Sequence, residues 1–366
     1  MESVPKKLTN TVFRLVKFPD EKFPHNIEEN LKMETEVIEN PEEKLQNDHV
    51  LIETAYLSVD PAMRIWMTGQ ETYIGRLSLG QIFPTVAVGK VLLSKSNKYK
   101  PGDLVMGRLG FQKYAFADSK TIGHIPSNYP NIRDFLGVLG TNGLTAYVGL
   151  MDIGKPKKGE TVVVSTAAGA VGEIAVQLAK QLGCYVVGIA GDQDKCDYVV
   201  NTLGADKCIN YKNFIDDEKL FTEEIKKTCP KGVDVYFDNV GGRTLDCILN
   251  HINEGARIIA CGAISTYNYS GSNVKSTPID MKIKNYPKLI IKNASIQGFI
   301  YYDHKETVKA GRQHLIGLLK EGKLKHREDV TQGIENTREA FKKLFTGKNK
   351  GKTIIKVDSE LLRPKL

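Results

Sequence analysis

The fold of this chain is decided by one stretch, Val162-Val163-Val164-Ser165-Thr166-Ala167-Ala168-Gly169-Ala170-Val171-Gly172. A buried strand runs into a turn of small residues, and a helix is expected to begin there and continue to Leu182. The turn fits the dinucleotide-binding fingerprint G-x-G-x-x-G with Ala167 in the first glycine position. Gly169 would let the backbone approach a pyrophosphate, and Gly172 would let the helix pack closely on the strand. We therefore expect the free N–H groups of the first helical turn to bind a dinucleotide phosphate.

Strands and helices alternate along the chain on both sides of this turn. Such alternation is typical of βαβ units, which build a parallel sheet with helices on both faces. It predicts a doubly wound, Rossmann-type α/β domain. The predicted strands are Thr161–Ser165, Tyr185–Ile189, Lys207–Ile209, Val233–Asp238, Arg257–Cys261 and Ala294–Phe299, and the predicted helices are Phe135–Leu150, Gly172–Leu182, Asp192–Leu203, Asp217–Thr228 and Glu306–Glu321.

The first 130 residues have a different pattern, with short strands separated by turns. Lys100-Pro101-Gly102-Asp103 is a strong turn signal. Many short strands of this kind predict a partly open β-barrel. A last strand-like run, Gly351–Val357, is expected to return to that barrel. We therefore predict one domain from residues 1–133 and 320–366, and a second domain from residues 134–319.

The end of the second predicted strand indicates which dinucleotide is bound. An NAD-dependent protein places an acidic residue there, about 20 residues after the glycine turn, to bind the ribose hydroxyls. Here Ala190 and Gly191 occupy that place, Asp192 comes slightly late, and Lys195 follows. The missing carboxylate and the nearby lysine favour the 2′-phosphate of NADPH. Tyr211 follows the third strand and is expected to donate its phenol to the same phosphate.

Composition and charge argue against several other classes of protein. Hydrophobic residues make up 41% and charged residues 26% of the chain, as in soluble globular proteins. No apolar run reaches the roughly 18 residues that a membrane helix needs, and the N-terminus lacks the apolar region of a secretory signal. The net charge of +8 comes from scattered lysines, without the basic stripe and interleaved aromatics of a nucleic-acid surface. We expect a cytoplasmic protein that binds neither membranes nor nucleic acid.

The six cysteines all lie in the second half of the chain. Their spacings match neither a zinc-binding CxxC pair nor a disulfide framework. Free thiols in a reducing cytosol are the expected state. They are Cys184, Cys196, Cys208, Cys229, Cys247 and Cys261.

Six motifs spread along the chain resemble those of the medium-chain dehydrogenase/reductase superfamily. They are Tyr56-Leu57-Ser58-Val59-Asp60-Pro61-Ala62-Met63-Arg64, Gly143-Leu144-Thr145-Ala146-Tyr147, the turn Ala167–Gly172, Phe237-Asp238-Asn239-Val240-Gly241-Gly242, Cys261-Gly262-Ala263-Ile264-Ser265-Thr266-Tyr267-Asn268 and Asn349-Lys350-Gly351-Lys352-Thr353. The run Ser265–Asn268 resembles the zinc-independent branch of leukotriene B4 12-hydroxydehydrogenase/prostaglandin reductases and plant double-bond (alkenal) reductases. The resemblance implies a GroES-like barrel beside the Rossmann domain, a homodimer, and NADPH-dependent reduction of the activated C=C bond of α,β-unsaturated aldehydes and ketones.

The resemblance also implies roles for particular residues toward NADPH. Lys195 and Tyr211 would hold the 2′-phosphate, Asn239 would lie beside the nicotinamide ribose, and Asn349 would reach the cofactor from the returning tail. The pyrophosphate would be held by Gly169, Ala170, Val171 and Gly172. The nicotinamide pocket would be lined by Cys261, Gly262, Ala263, Ile264, Ser265, Thr266 and Tyr267, and by Phe299, Ile300 and Tyr301.

The chain departs from the family pattern in two places. Ala62 stands where the family motif often has a tyrosine, so we expect one wall of the substrate cleft to be wider. Tyr269–Leu289 is a polar stretch that looks longer than is usual in the family. This stretch could form a lid, a dimer contact or a disordered loop, and these alternatives stay open.

Zinc is not expected. The zinc alcohol dehydrogenases of this superfamily carry a cysteine and a Gly-His-Glu motif in the first domain. This chain has no cysteine there, and it reads Thr85-Val86-Ala87-Val88-Gly89 where that motif would stand. Its first-domain histidines, His25, His49 and His124, show no ligand spacing. Without a Lewis acid to activate an alcohol, the chemistry shifts towards reduction of an activated alkene.

Two tyrosines are candidates for stabilising the enolate that forms when hydride reaches the β-carbon of an enone. Tyr267 is the first, since its loop follows a parallel strand at the carboxyl edge where ligands bind. A phenol with a pKa near 10 stays protonated at neutral pH and can donate a hydrogen bond. Tyr56 is the second, from the barrel side of the cleft. Arg64 is expected to be structural and to pair with a carboxylate.

Two other functions stay open at this point. A quinone oxidoreductase also uses a zinc-free fold of this kind, although the Ser265–Asn268 run favours the enone reductase. A catalytically silent NADPH-binding protein is the other alternative, against which the retained tyrosines count.

Overall fold

The computed structural model describes residues 4–214, 217–269, 278 and 281–359. Its first part consists of short strands and single-turn helices. They are β1 (Lys7–Leu15), α1 (Ile27–Asn30), β2 (Leu31–Glu39), α2 (Pro41–Lys44), β3 (His49–Ser58), α3 (Met63–Trp66), β4 (Val86–Ser94), β5 (Leu104–Arg108), β6 (Tyr114–Asp118) and β7 (Ile122–Ile125).

From residue 141 onwards, strands and helices alternate. They are α4 (Thr141–Val148), β8 (Thr161–Ser165), α5 (Gly172–Gln181), β9 (Tyr185–Ala190), α6 (Gln193–Asn201), β10 (Lys207–Asn210), α7 (Glu218–Thr228), β11 (Val233–Asp238), α8 (Gly242–Leu249), β12 (Ile252–Ala260), α9 (Pro287–Ile291), β13 (Ser295–Gly298) and α10 (Lys305–Lys320). The chain continues with β14 (Glu328–Gln332), α11 (Thr337–Phe345) and β15 (Lys352–Lys356).

Six parallel strands form the Rossmann sheet, in the order β10-β9-β8-β11-β12-β13. All five residues of β8 are buried, as expected for a strand covered by helices on both faces. The strand order reverses between β8 and β11, and ligands of open α/β sheets bind in the crevice at such a point. The predicted doubly wound α/β domain is therefore confirmed.

The barrel domain is built on a mixed, mostly antiparallel sheet in the order β14-β15-β3-β4-β5-β7, with β6 also paired to β3. The returning tail strand, predicted at Gly351–Val357, is β15 and pairs with β3. The predicted barrel-type domain beside the Rossmann domain is confirmed. The boundaries 1–133, 134–319 and 320–366 stay predictions.

A buried apolar cluster joins the two domains. It runs from Ala55 and Val88 in the barrel strands to Val162 and Phe237 in the parallel sheet. Because burial of apolar surface is the main stabilising force, this shared core holds the two domains together across the cleft between them.

The single helix predicted over Phe135–Leu150 is wrong in detail. The structure has a 3₁₀ turn at Ile132–Leu136, a break, and then α4, which continues into a π-helical turn at Gly149–Gly154. The break occurs where the chain folds tightly on itself: a Cβ on Gly140 would lie 2.1 Å from the carbonyl oxygen of Phe135.

Residues 270–277, 279 and 280 of the polar stretch Tyr269–Leu289 lie outside the described residues, so its predicted roles are not addressed by the structure. Across the described ranges, no helix has the length and apolar character needed to cross a membrane.

Candidate active site

The glycine turn between β8 and α5 has the geometry that a bound pyrophosphate needs. Gly169, Ala170, Val171 and Gly172 follow one another directly before and into the first turn of α5. A Cβ on Gly172 would lie only 2.2 Å from the carbonyl oxygen of Thr166, so no side chain fits there. Thr166 itself adopts a left-handed backbone with φ of 52°. The chain is thus folded back tightly under the N-terminus of α5, which points its N–H groups at the turn.

The carboxyl end of β9 suits a phosphate rather than a diol. Asp192 is occupied as the N-cap of α6, where its Oδ1 accepts a hydrogen bond from the backbone N of Lys195 at 2.8 Å. Tyr211 lies against the strand end, since a Cβ on Gly191 would come within 3.1 Å of its Cε1. The structure therefore brings Lys195 and Tyr211 to the same strand end.

Two further lysines add positive charge at this point. Burial lowers the pKa of the Lys195 ammonium, and the charges of Lys212 and Lys350 lower it further, while Asp192 acts in the opposite direction. The Nζ of Lys195 donates to the carbonyl oxygen of Gly347 at 2.6 Å. Cations that lower one another's pKa are favourably placed for an anionic ligand, so the residues present fit the 2′-phosphate of NADPH. Sequence reasoning gave Lys212 and Lys350 no role.

The returning tail lies beside the glycine turn. Gly351 forms a parallel β-bridge with Gly169, and the Nδ2 of Asn349 donates to the carbonyl oxygen of Gly351 at 3.0 Å. This places Asn349 two residues from the bridge, although its contact with a cofactor stays a prediction.

The crevice between β8 and β11 holds Asn239. Its backbone N donates to the Oγ of Ser165 at 2.9 Å, and its Nδ2 donates to the carbonyl oxygen of Ser165 at 2.7 Å. The loop after β12 folds onto the same segment, since the backbone N of Ile264 donates to the carbonyl oxygen of Asn239 at 3.3 Å. Asn239 and the predicted loop Cys261–Tyr267 therefore lie together at the switch point.

Tyr267 is buried at the end of that loop, with 9% of its surface exposed. Its hydroxyl oxygen accepts a hydrogen bond from the backbone N of Ala263 at 3.1 Å, which leaves the phenol proton free to donate. Burial raises the pKa of Tyr267 above its ordinary value, so the phenol stays protonated through the neutral range. The side chain is thus a fixed, neutral hydrogen-bond donor.

A buried arginine from the barrel domain holds this loop in place. The Nε of Arg64 donates to the Oδ1 of Asn268 at 3.1 Å, and the Nδ2 of Asn268 donates to the carbonyl oxygen of Phe23 at 2.6 Å. The Nη2 of Arg64 donates to the backbone carbonyl oxygen of Asp20, not to its carboxylate. The expectation that Arg64 pairs with a carboxylate is therefore wrong. The side-chain oxygen of Asn268 and the backbone carbonyl oxygen of Asp20 accept the hydrogen bonds of its guanidinium, and Asn268 is the residue next to Tyr267.

The segment Phe299–Tyr301 follows β13 at the same edge of the sheet. The hydroxyl of Tyr301 lies 3.4 Å from the Oγ1 of Thr141. The ring of Phe299 packs against Gly149, since a Cβ on Gly149 would lie 3.0 Å from the Cζ of Phe299. Ile300 precedes the 3₁₀ turn that begins at Tyr301. The segment therefore lies between the carboxyl edge of the sheet and α4.

The structure adds Tyr73, which sequence reasoning missed. Its carbonyl oxygen accepts a hydrogen bond from the hydroxyl of Tyr302 at 3.1 Å, and its ring stands edge-on to Trp66 with centroids 6.2 Å apart. Tyr73 is 44% exposed, and partial desolvation of its phenol raises the pKa of the hydroxyl above its ordinary value. Tyr73 lies in a segment without strand or helix periodicity, so no pattern in the sequence marks it.

Tyr56 has different neighbours. It is buried in β3, where its ring lies 5.7 Å from the guanidinium carbon of Arg133 and joins the apolar cluster between the domains. The hydrogen bond that joins the barrel domain to the Tyr267 loop comes instead from Arg64, which donates to Asn268. The role of Tyr56 towards substrate stays a prediction.

One group of side chains in the described part of the chain is close enough to hold a metal ion: Asp134, His326 and Glu328. Protein partners already bind it. Tyr129 and Asn131 donate to Asp134 at 2.9 and 2.7 Å, and the Nε of Arg133 pairs with Glu328 at 2.9 Å. The arrangement is explained as a hydrogen-bonded junction, and the absence of a metal stays a prediction.

Comparison with known proteins identifies the family to which the chain belongs. A family model described as "Zinc-binding dehydrogenase" matches residues 170–316, and one described as "N-terminal domain of oxidoreductase" matches residues 21–125. The chain is 36% identical over 337 residues to an NADPH-dependent curcumin reductase of Escherichia coli, covering 91% of this chain and 94% of that protein. It is 36% identical over 316 residues to a tobacco (Nicotiana tabacum) 2-alkenal reductase (NADP(+)-dependent), covering 86% and 89% of the two chains.

A solved structure, CurA from Vibrio vulnificus in complex with NADPH, superimposes with a TM-score of 0.84 at 34% identity, covering 95% of this chain and 99% of that one. The fold, the glycine turn and these matches together define a two-domain medium-chain dehydrogenase/reductase. Within that superfamily, the chain belongs to the zinc-independent branch that includes the alkenal and prostaglandin reductases.

Proposed function

We propose that this chain reduces the activated C=C bond of α,β-unsaturated aldehydes and ketones, including alkenals and prostaglandin-like enones, without zinc. The observation that carries the proposal is the buried, neutral phenol of Tyr267 beside Asn239 at the switch point. Such a donor stabilises negative charge that develops on a carbonyl oxygen. Relatives named for reduction of curcumin and 2-alkenals support the same chemistry.

The chain is an oxidoreductase, and its cofactor is NADPH, as in its NADP-dependent relatives. NADPH supplies the hydride when it is bound. We propose that Lys195 and Tyr211 hold its 2′-phosphate and that Asn239 and Asn349 contact it nearer the nicotinamide. The remaining proposed contacts are Gly169, Ala170, Val171 and Gly172 at the pyrophosphate, and Cys261, Gly262, Ala263, Ile264, Ser265, Thr266, Tyr267, Phe299, Ile300 and Tyr301 around the nicotinamide.

The protein's own contribution is orientation and electrostatic stabilisation. Hydride addition at the β-carbon moves negative charge onto the carbonyl oxygen of the substrate. In this proposal the phenol of Tyr267 donates a hydrogen bond to that oxygen, with Tyr73 as a second candidate donor from the barrel side. Because Tyr267 is held by Ala263 on its own loop and by Arg64 through Asn268, little reorganisation is needed when the charge develops.

The test is to follow NADPH oxidation with a panel of 2-alkenals, enones and quinones. Turnover with alkenals or enones, and saturated carbonyl products in mass spectrometry, would support the proposal. Turnover with quinones alone would replace it with a quinone oxidoreductase. NADPH binding without turnover on any member of the panel would favour a catalytically silent protein.

Replacing Lys195 with Ala should raise the KM for NADPH roughly 10- to 100-fold, the cost of losing one hydrogen bond to a charged group. The KM for NADH should hardly change, since NADH has no 2′-phosphate. Lys207→Ala is the matched control, because Lys207 is exposed at the opposite end of β10. Steady-state kinetics with both cofactors provide the measurement. An equal loss with NADPH and NADH would contradict the role given to Lys195.

The proposed partner is a second copy of the chain, joined along β13. This strand is the edge of the parallel sheet, its four residues are exposed, and α9 beside it exposes 76% of Ile290 and 70% of Ile291. An open strand edge is a template for pairing with another chain, and the isoleucines of α9 would add apolar contact beside it. Ile290→Glu with Ile291→Glu should shift a dimer to monomer in sedimentation velocity, whereas Leu220→Glu on α7 should not. A monomeric wild-type chain would overturn this part of the proposal.

The proposed location is the cytoplasm. All six cysteines are free thiols in the structure, which suits a reducing compartment.

A further inference from the structure

A buried acidic side chain lies directly behind the glycine turn. Glu173 is the second residue of α5, immediately after Gly172, and only 1% of its surface is exposed. A carboxyl group is rarely buried to this extent unless other groups bind its oxygens. Nothing in the proposed reaction uses Glu173, so its partners indicate its role.

The partners of Glu173 lie on two other segments. The hydroxyl of Tyr198 on α6 donates to its Oε2 at 3.0 Å, and the backbone N of Arg327, just before β14, donates to its Oε1 and Oε2 at 3.3 and 3.2 Å. One turn further along α5, the Nε2 of Gln177 donates to the carbonyl oxygen of Lys325 at 2.7 Å, and its Oε1 accepts from the backbone N of Lys325 at 2.8 Å. The helix α5 therefore holds the segment that leads into β14.

That segment in turn binds the returning tail. The carbonyl oxygen of Arg327 accepts a hydrogen bond from the backbone N of Lys352 at 2.8 Å. Gly351 packs against the same carbonyl, since a Cβ on Gly351 would lie 2.2 Å from that oxygen. Gly351 also forms the bridge to Gly169. The contacts that begin at Glu173 thus lead back to the glycine turn, and they form a closed ring around the N-terminus of α5.

The carboxyl of Glu173 lacks a neutralising cation. Among the residues that the structure describes, it forms no ion pair, and the guanidinium of Arg327 lies over the ring of Tyr198 instead, 3.1 Å from the ring centroid. The groups that face it are Tyr198 from α6, Arg327 before β14 and Glu328 at the start of β14.

These surroundings favour the neutral form of the carboxyl. Burial is the main reason that the pKa of Glu173 rises to about 8. The negative charge of Glu328 acts in the same direction, whereas the hydrogen bonds from Tyr198 and Arg327 and the charge of Arg327 oppose it. The carboxyl is therefore mostly neutral at about pH 7 and mostly charged at about pH 9.

We propose that Glu173 is a positioning residue for NADPH, which holds the returning tail against the glycine turn and favours the bound dinucleotide when its carboxyl is protonated. This rests on the proposed function, in which the residues from Gly169 to Gly172 bind the pyrophosphate. A carboxylate buried behind that turn would repel the pyrophosphate, because little water lies between them to screen the charges. The neutral carboxyl keeps its contacts with Tyr198 and Arg327 without this repulsion. Binding of the dinucleotide therefore takes up a proton from solvent.

The experiment measures the Kd of the full chain for NADPH and for NADH by nicotinamide fluorescence, from about pH 7 to about pH 9. Both Kd values should rise about tenfold, because the neutral fraction of a group with a pKa near 8 falls about tenfold over this range. The rise should be the same for the two cofactors, since both carry the pyrophosphate, whereas titration of Lys195 would affect NADPH alone. Calorimetry at about pH 8 in two buffers of different ionisation enthalpy should show uptake of roughly half a proton per NADPH.

Two substitutions of Glu173 separate its contacts from its charge. Glu173→Gln should bind NADPH equally well at both ends of the pH range, because the amide has nearly the same shape and no charge. Glu173→Ala should raise both Kd values about tenfold throughout the range, since it removes the hydrogen bonds that hold the tail segment. Glu306→Gln, at an exposed acid in the second position of α10, is the matched control and should behave like the wild type.

Each part of the proposal has a result that would overturn it. A wild-type Kd that stays constant over the pH range, or a rise that persists in Glu173→Gln, would overturn the role of protonation. A rise seen with NADPH alone and lost in Lys195→Ala would also overturn it and assign the titration to Lys195. Binding of wild-type strength by Glu173→Ala would overturn the positioning role; if circular dichroism shows that this variant does not fold, Glu173→Gln still decides the role of protonation. Absence of enone turnover, with the pH dependence of binding intact, would contradict the proposed function alone.

Discussion

Replacing Tyr267 with Phe should lower kcat for enone reduction at least about tenfold, while the Kd for NADPH changes little. The substitution removes one hydroxyl from a buried, pre-positioned donor and leaves the ring in place. Loss of one donor to a developing oxyanion typically costs about 2.7–4 kcal/mol, so a hundredfold or larger effect is within the usual range. Stopped-flow or steady-state assays of NADPH oxidation with a 2-alkenal measure the rate.

The matched control is Tyr147→Phe, the same chemical change on α4, where the ring packs against His314 and Gly311. Its kcat should stay within a factor of two or so of the wild type, as for other neutral substitutions. Tyr73→Phe and Tyr56→Phe extend the comparison to the other candidate donors. An unchanged rate for Tyr267→Phe, with a loss in one of these variants, would transfer the role to that residue.

The parts of the fold that could be predicted are those encoded locally. The run of valines into Gly169 and Gly172 is enough to predict β8, the turn and α5, because the turn requires small residues whatever the rest of the chain does. The signal at the end of β9 is also encoded locally. Because Gly191 provides no acidic side chain, the hydroxyls of a ribose diol have no partner there. The proposal that Lys195 and Tyr211 hold the 2′-phosphate could therefore be made from the sequence.

The parts that could not be predicted depend on distant contacts. The chain positions of Arg64 and Asn268 differ by 204 residues, and no local pattern indicates that an amide, not a carboxylate, meets the guanidinium. Tyr73 is brought to the cleft by Trp66 and Tyr302, one near in sequence and one 229 residues away. The break in the helix predicted over Phe135–Leu150 follows from close backbone packing, which periodicity alone does not show.

A buried ion pair also joins residues that are distant in sequence. The Nζ of Lys352 on β15 lies 2.7 Å from the Oδ1 of Asp60, 292 residues away, and 2.9 Å from the carbonyl oxygen of Val59. Asp60 also accepts hydrogen bonds from Ser58 and Asn142, so the pair joins β3, α4 and the returning tail. The Lys352 side chain is only 3% exposed. Its neighbour Gly351 forms the bridge to Gly169, which connects the ion pair to the glycine turn.

Lys352→Met should therefore lower the free energy of unfolding by about 3–5 kcal/mol, because it leaves the carboxylate of Asp60 buried without its cation. Lys348→Met, at an exposed lysine of the same tail, should change stability by no more than about 0.5 kcal/mol. Urea unfolding followed by circular dichroism measures both. The double variant Asp60→Asn with Lys352→Met should recover part of the loss, since the unpaired charge is then removed as well. A loss in the single variant that the double variant does not reduce would mean that packing of the lysine stem, and not its charge, holds the tail against the glycine turn.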